Sequence, residues 1–342
     1  MIKPFIAKLI ERKDLNISEA QEAMTIIMTG QATPAQIGGY LVALRMKGET
    51  VEEITGSVLA MRTQATHVPF HANGSALLDT AGTGGDGAHS FNISTAAAFV
   101  IAGTGRKVAK HGNRAASSNC GSADVLNELG VSLELTPEQV AKCIEKVGIG
   151  FMFAPKFHPA MKYAIPVRRE LGQRTIFNVL GPLTNPAGAT HQLVGVYDAA
   201  LTQPLAEVLG ELGSQAAYVI HGYGGMDELT TGGPNRVSHL KDGKVNTFEL
   251  NAADFGLQVA TKADLHGGTP AENAARMREI LSGKDNSARR DVVLLNAAAA
   301  IATELGDFER SLKEARISLA SGAALVKLDN LAAMSQQLSV AA

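Results

Sequence analysis

A run of small and acidic residues, Asp79-Thr80-Ala81-Gly82-Thr83-Gly84-Gly85-Asp86-Gly87, follows the apolar stretch Ala76-Leu77-Leu78. It precedes a helix-like stretch that opens with Asn92-Ile93-Ser94-Thr95 and continues to Ala102. Glycines let backbone amides converge on phosphate oxygens, and a helix N-terminus adds partial positive charge. The chemistry expected of this loop is the binding of a diphosphate. Gly82, Gly84 and Gly87 also fit the dinucleotide pattern G-x-G-x-x-G, but that reading needs an acid about 20 residues on. Arg106 and Lys107 stand there instead. A structural glycine turn is the third alternative.

A second cluster, Lys110-His111-Gly112-Asn113-Arg114-Ala115-Ala116-Ser117-Ser118-Asn119-Cys120-Gly121-Ser122-Ala123-Asp124, sets cations, amides and hydroxyls among small residues. A polyanionic ligand that backbone must approach closely needs such a set. A Cys120–His111 nucleophile and base would lack an orienting third group, so Cys120 reads as a packing residue. His111 reads equally well as a structural hydrogen-bonder or as a ligand-binding group. In a third cluster, Gly222-Tyr223-Gly224-Gly225-Met226-Asp227-Glu228-Leu229-Thr230, two carboxylates are adjacent at the end of a buried apolar run. They repel each other unless a cation lies between or beside them, and Mg²⁺ on a phosphorylated substrate is the candidate. A solvated turn is the alternative. No His/Cys spacing argues for zinc.

These clusters need elements to hold them. The first ~65 residues read as four short helices, with starts at Ser18…Gln21, Thr33…Gln36 and Thr50…Glu53, where side chains satisfy orphan amides. Gly38-Gly39 would allow a close helix approach there, in the core or between subunits. From Ser75 strands are expected at residues 76–78, 107–109, 131–133, 149–153, 193–197, 216–220 and 245–250. Helices alternate with most of them, which points to an α/β fold with a mostly parallel central sheet flanked by helices, behind a small all-helical N-terminal domain. The expected division is a helical domain over 1–70, rejoined by helices from about 160–190, and an α/β domain over 71–159 and 191–342.

Composition restricts the partners. With 31 Lys and Arg against 33 Asp and Glu and 5% aromatics, no global field recommends nucleic acid or a membrane surface. Two cysteines cannot build a disulfide framework, and the charged start MIKPFIAKLIERKDL has no signal-peptide core. A cytoplasmic setting is expected.

Taken in order, Gly82-Thr83-Gly84-Gly85-Asp86, Lys110-His111-Gly112-Asn113, Asn178-Val179-Leu180-Gly181-Pro182-Leu183-Thr184-Asn185-Pro186 and Asp227-Glu228 resemble the anthranilate phosphoribosyltransferases of tryptophan biosynthesis, over nearly the whole chain. The resemblance implies a cleft between the two domains and a homodimer formed through the helical ones. It implies that Gly82, Thr83, Gly84, Gly85, Asp86, Ser90, Asn92, Ser94, Thr95, Lys110 and Ser122 bind phosphoribosyl pyrophosphate. Gly82, Asn113 and Arg168 would bind anthranilate, with His111 and His158 along its path, and Asp227, Glu228 and Ser94 would hold Mg²⁺. Arg168 and Arg169 diverge by roughly 100° on a helix, so only one can face the cleft. The resemblance selects Arg168.

The residues agree with that chemistry. Displacing pyrophosphate from an anomeric carbon builds oxocarbenium character, which calls for stabilising the departing anion and aligning a neutral aromatic amine. No nucleophile or acid-base pair is then expected. A pyrimidine nucleoside phosphorylase shares a Lys-His-Gly segment but needs neither the diphosphate loop nor the paired carboxylates. A non-catalytic nucleic-acid-binding relative would carry a basic face.

Overall fold

The computed structural model describes residues 1–115 and 119–340; Ala116, Ser117 and Ser118 of the second cluster lie outside the described residues. Four helices open the chain, Lys3–Ile10, Ile17–Met28, Pro34–Lys47 and Val51–Thr63. Capping boxes form at Thr33/Gln36 and Thr50/Glu53 as expected. The second helix starts two residues earlier than its sequence suggested, because Asn16 rather than Ser18 accepts from the Glu19 amide and Glu19 returns a carboxylate to the Asn16 amide. Within the chain the close helix approach is made by Gly56, where a Cβ would stand 2.3 Å from the Ile17 carbonyl oxygen; one at Gly38 would meet only Val167, at 3.7 Å, and one at Gly39 nothing within 4 Å, so the pair does not serve packing inside this chain.

The sheet has seven strands: β1 Leu77–Gly82, β2 Lys107–Gly112, β3 Ile149–Phe153, β4 His191–Gly195, β5 Ala216–His221, β6 Pro234–Lys241 and β7 Lys244–Asn251. Their spatial order is β3-β2-β1-β4-β5-β6-β7, parallel through β5 and closed by the antiparallel pair β6 and β7. The expected strand at residues 131–133 does not form. Val131, Leu133 and Leu135 are buried in strand-like alternation, but the intervening Ser132 amide donates to the Ser335 hydroxyl of the last helix, at 2.9 Å. Strand β6 escaped the sequence reading because two of its inward residues are polar: Asn235 bonds backbone groups of the preceding turn and of β7, and Ser238 pairs with Thr247.

The chain runs outward from β1 through β2 to β3, then returns to β4 on the other side of β1. In such sheets ligands bind beyond the carboxyl ends of the strands at this switch point, here between Gly82 and Gly195, which are paired in register. One face of the sheet buries the Ala-rich helices Ile93–Gly103 and Ala288–Leu305. A second buried cluster joins the N-terminal helices to residues 164–183 and to Val194, Val196, Ala217 and Val219 on β4, the residue after it, and β5. The connecting segments are tied together, since the Thr66 amide donates to the Phe157 carbonyl and the Val68 amide to that of Pro186.

Candidate functional site

A cavity of about 500 Å³ opens at the switch point, and every site residue expected from the sequence lines it. Its floor is a break in the sheet. Strands β1 and β2 pair in register only at Leu77 and Leu78, and side chains satisfy the backbone groups beyond. Asn185 donates to the Ala109 carbonyl and to the Asp79 carboxylate, at 2.8 and 2.7 Å. The other Asp79 oxygen accepts from the His111 amide, and Lys110 donates to the Thr80 carbonyl at 2.7 Å. Burial pushes the Asp79 carboxyl up to about 6, against the pull of Lys110, and pulls the Lys110 ammonium down to about 8, against Asp79 and Glu228. Lys110 lies 3.5 Å from the Ser94 hydroxyl.

Beyond β1 the backbone turns through positive φ at Gly84, Gly85 and Gly87, a conformation that disfavours other residues. The Thr83 amide anchors the start of this loop to the Gly195 carbonyl at 2.9 Å. Facing it, the helix Ile93–Gly103 begins without a side-chain cap. Asn92 instead donates to the Cys120 carbonyl and accepts from Asn273, so it does not cap the helix; the Ile93 amide returns to the Phe91 carbonyl and the Ser94 amide lies toward Glu228. The buried Thr95 hydroxyl has no partner among the described residues. A helix N-terminus without a side-chain cap, an orphaned hydroxyl and a glycine loop are the groups that an anion site requires.

Asp86, Asp227 and Glu228 offer oxygens that lie within 4.8 Å of one another. Asp227 accepts from the Gly84 amide at 2.7 Å, and its own amide donates to Asp86; Glu228 accepts from the Ser90 hydroxyl at 2.9 Å. Desolvation and then the charge of Asp86 push Asp227 up to about 7, and desolvation and Asp227 drive Glu228 well above the usual carboxylate range. Two buried carboxylates that resist ionisation, crowded by a third at Asp86, fit a hard divalent cation, which would relieve their repulsion. The sequence reading paired Asp227 with Glu228 but gave Asp86 to the phosphate loop alone.

Two glycines make room for this group. A Cβ at Gly82 would fall 2.3 Å from the Asp227 carboxylate, and one at Gly195 would fall 1.5 Å from the Asp227 carbonyl oxygen. Gly195 was missed from sequence; the one trace is a glycine in the middle of the apolar run 193–197. Arg174 was missed as well. It donates to the Gly85 carbonyl and stacks 4.2 Å over the Tyr197 ring.

The other end of the cavity is less charged. Arg168, on the helix Ile165–Leu171, is half-buried with its guanidinium 5.3 Å over Phe177, while Arg169 is exposed and does not line the cavity. His111 and His158 lie 5.0 Å apart by ring centre, each with a buried Nε2 that has no partner among the described residues. Burial holds His111 down to about 3, with His158 adding to the effect, and holds His158 down to about 4. Both are therefore neutral near pH 7. Asn113 and Ser122 close the side, with the Ser122 hydroxyl donating to the Asn113 carbonyl. The Asp124 carboxylate pins this turn through the amides of Ala115 and Gly121.

Two family models match the chain: a glycosyl transferase family helical bundle domain over residues 3–65 and a glycosyl transferase family a/b domain over residues 74–325. An anthranilate phosphoribosyltransferase of Roseiflexus sp. (strain RS-1) is 55% identical over 338 residues, 98% of each chain. The crystal structure of the Thermus thermophilus anthranilate phosphoribosyltransferase superposes with a TM-score of 0.92 at 44% identity, covering 97% of this chain and 99% of that one. The Saccharomyces cerevisiae enzyme in complex with PRPP and Mg gives a TM-score of 0.90 at 29% identity, with 98% of each chain covered.

Proposed function

The chain belongs to the anthranilate phosphoribosyltransferase family, and from that membership we propose which of its residues carry the reaction. That reaction is transfer of the phosphoribosyl group from phosphoribosyl pyrophosphate to the amine of anthranilate, giving N-(5-phosphoribosyl)anthranilate and pyrophosphate in tryptophan biosynthesis. The donor diphosphate sits between the amides of the loop from Gly82 through Thr83, Gly84 and Gly85 to Asp86 and the helix N-terminus at Ser94 and Thr95. Ser90, Asn92, Lys110 and Ser122 complete its surround. Asp227, Glu228 and Asp86, with the Ser94 hydroxyl, hold Mg²⁺, which when bound neutralises charge on the diphosphate. The yeast relative solved with PRPP and Mg supports that use of metal.

Anthranilate lies at the less charged end. Arg168 binds its carboxylate with a planar fork, Gly82 and Asn113 flank the ring, and the neutral His111 and His158 line its path. An aromatic amine is already unprotonated at neutral pH, so these residues align it rather than activate it. The observation that carries this reading is the union, in one cavity of about 500 Å³, of the carboxylate cluster and glycine loop with Arg168. Anthranilate, phosphoribosyl pyrophosphate and Mg²⁺ mixed with the protein should lose anthranilate fluorescence as pyrophosphate appears. No loss with authentic substrates and metal overturns the reading.

The same proposal extends to the assembly. A helical domain of residues 1–70 and about 160–190 against an α/β domain of 71–159 and 191–342 is supported by the buried cluster that gathers residues 2–61 with 164–183. Ile10, Val42 and Met46 are exposed apolar residues on the first and third helices and support a homodimer through that domain. The free, buried Cys120 and Cys143 support a reducing, cytoplasmic setting.

A further inference from the structure

We propose that Arg174 is a positioning residue for the phosphoribosyl donor, a latch through which the segment after Arg168 sets the diphosphate loop. The proposal rests on the assignment of Gly82 to Gly87 as that loop. Two attachments hold the loop from outside the cavity. At its start, the Thr83 amide donates to the Gly195 carbonyl and the Thr83 hydroxyl accepts from the Tyr197 amide at 3.1 Å. At its apex, Arg174 donates to the Gly85 carbonyl while its guanidinium rests on the ring of the same Tyr197. On its outer side the apex has little else to lean on; on the inner side Asp227 accepts from the Gly84 amide and donates its own amide to Asp86. A Cβ built on Gly84 or Gly87 would meet nothing within 4 Å, and one on Gly85 would meet only Arg174.

That contact decides where an amide points. In a trans peptide the carbonyl of one residue and the N–H of the next point in opposite directions, and the chain has no cis bond among the described residues. Arg174 is exposed and does not line the cavity, so it draws the Gly85 carbonyl outward. The Asp86 N–H is thereby turned toward the cavity. It donates to no group of the protein among the described residues, which leaves it for a phosphate oxygen. A planar guanidinium can stack on Tyr197 and donate at its edge at the same time, and an ammonium cannot.

Arg174 also ties the two ends of the cavity together. It lies between the helix Ile165–Leu171, which carries Arg168, and the helix Phe177–Leu183, which carries Asn178. A diphosphate that fixes the Gly85–Asp86 peptide therefore also fixes the chain beside Arg168. Binding of pyrophosphate with Mg²⁺ should then raise affinity for anthranilate, and linkage makes the effect reciprocal.

The test compares wild type with Arg174→Ala and Arg174→Lys by the KM of each substrate, kcat, melting temperature, and calorimetric titration of anthranilate with and without pyrophosphate and Mg²⁺. Arg174→Ala should raise the donor KM about tenfold, as loss of a charge-assisted bond to the loop implies, with an unchanged melting temperature. It should also abolish the gain in anthranilate affinity on adding pyrophosphate. Arg174→Lys should recover only a small part of both. A donor KM within twofold of wild type in Arg174→Ala, or full recovery in Arg174→Lys, overturns the latch. Gly84→Val separates this failure from that of the loop assignment, because a β-branched side chain at positive φ should impair donor binding whatever Arg174 does. Normal donor binding in Gly84→Val removes the loop assignment and the latch with it. Impaired binding there, with Arg174→Ala unaffected, removes the latch alone.

Discussion

The two ends of the cavity are built in opposite ways. The donor end stands on the carboxyl ends of adjacent strands β1, β4 and β5, and its working groups are largely backbone amides and carboxylates held by that backbone. The acceptor end is gathered from β2, from the turn after β3 and from helices that pack with the N-terminal bundle. Desolvation acts on both with opposite consequences. At the donor end it drives Asp227 and Glu228 upward, a cost that the proposed Mg²⁺ would offset. At the acceptor end it drives two histidines downward, leaving a neutral wall beside one arginine. The sheet thus supplies precision where charge must be matched, and the helices supply a separate, less charged surface packed against it.

The largest effects should come from spoiling the strand ends. Gly195→Ala places a methyl where the Asp227 carbonyl oxygen now sits, so the whole 222–228 turn must move. Such a displacement should lower kcat/KM more than about 100-fold in a protein that still folds, since ~1 Å of misplacement suffices for that much. Gly39→Ala, where nothing lies within 4 Å of the added methyl, should leave kcat/KM unaltered. Next come Asp227→Asn and Glu228→Gln, which keep shape but remove charge. Each should cost roughly 30-fold at limiting Mg²⁺, within the range seen when metal sites lose one supporting group, and excess Mg²⁺ should partly restore it. Wild-type metal dependence in both variants would make these carboxylates structural and erase the contrast between the two ends.

The same contrast explains what could be read from the sequence. The donor end is compact in sequence because a strand-loop-helix unit brings Gly82 to Thr95 together within one local fold. The carboxylate pair follows its strand directly. Thr33 and Thr50 revealed their helices because a capping box is local. Gly195 and Arg174 carry no such mark, since each matters only through a residue brought near by the tertiary fold: Asp227 for one, Gly85 and Tyr197 for the other. Arg168 could be told from Arg169 only by the family resemblance, because helical geometry says that one faces inward without saying which. Residues 131–133 failed for the complementary reason. Their apolar alternation is real, but it serves burial between helices, and the backbone finds a side-chain partner in place of a strand.

Arg168→Ala tests the acceptor end alone. Removing the partner of a buried carboxylate costs about 2–5 kcal/mol, and the half-exposure of Arg168 argues for the low end after screening. The KM for anthranilate should rise about tenfold while donor KM changes little. Arg168→Lys should recover poorly, because an ammonium lacks the fork. The same phenotype from Arg169→Ala, with Arg168→Ala silent, would reverse the assignment. Equal damage to both substrates would mean that the two ends are not separable by side chain.

The smallest effect on turnover concerns the histidines. His111 at about 3 and His158 at about 4 are neutral throughout the physiological range, so their ionisation cannot alter anthranilate binding there. Measured at saturating donor and Mg²⁺, which keep the carboxylate cluster ionised, the anthranilate KM should stay flat from pH 6 to 9. His158→Gln should change it less than about threefold, as expected for a group that lines the path without charge. Stability should behave differently. The unfolded chain takes up a proton on each histidine near 6.5, while the folded chain refuses it until about pH 4 or below, so between those values the unfolded state binds more protons. The histidines' contribution to native stability is therefore fully present above about 6.5 and is lost as the pH falls toward 4, by roughly 3 kcal/mol for His158, while Asp79 and Asp227, raised to about 6 and about 7, shift stability the opposite way over the same range. His158→Gln should lose correspondingly less stability than wild type in denaturant titrations between pH 6.5 and 4. If anthranilate KM in the wild type instead climbs as pH falls through 6.5, and His158→Gln removes that climb, then the histidine ionises in the native site. The acceptor wall would then be charged, and the two ends of the cavity would differ less than their packing implies.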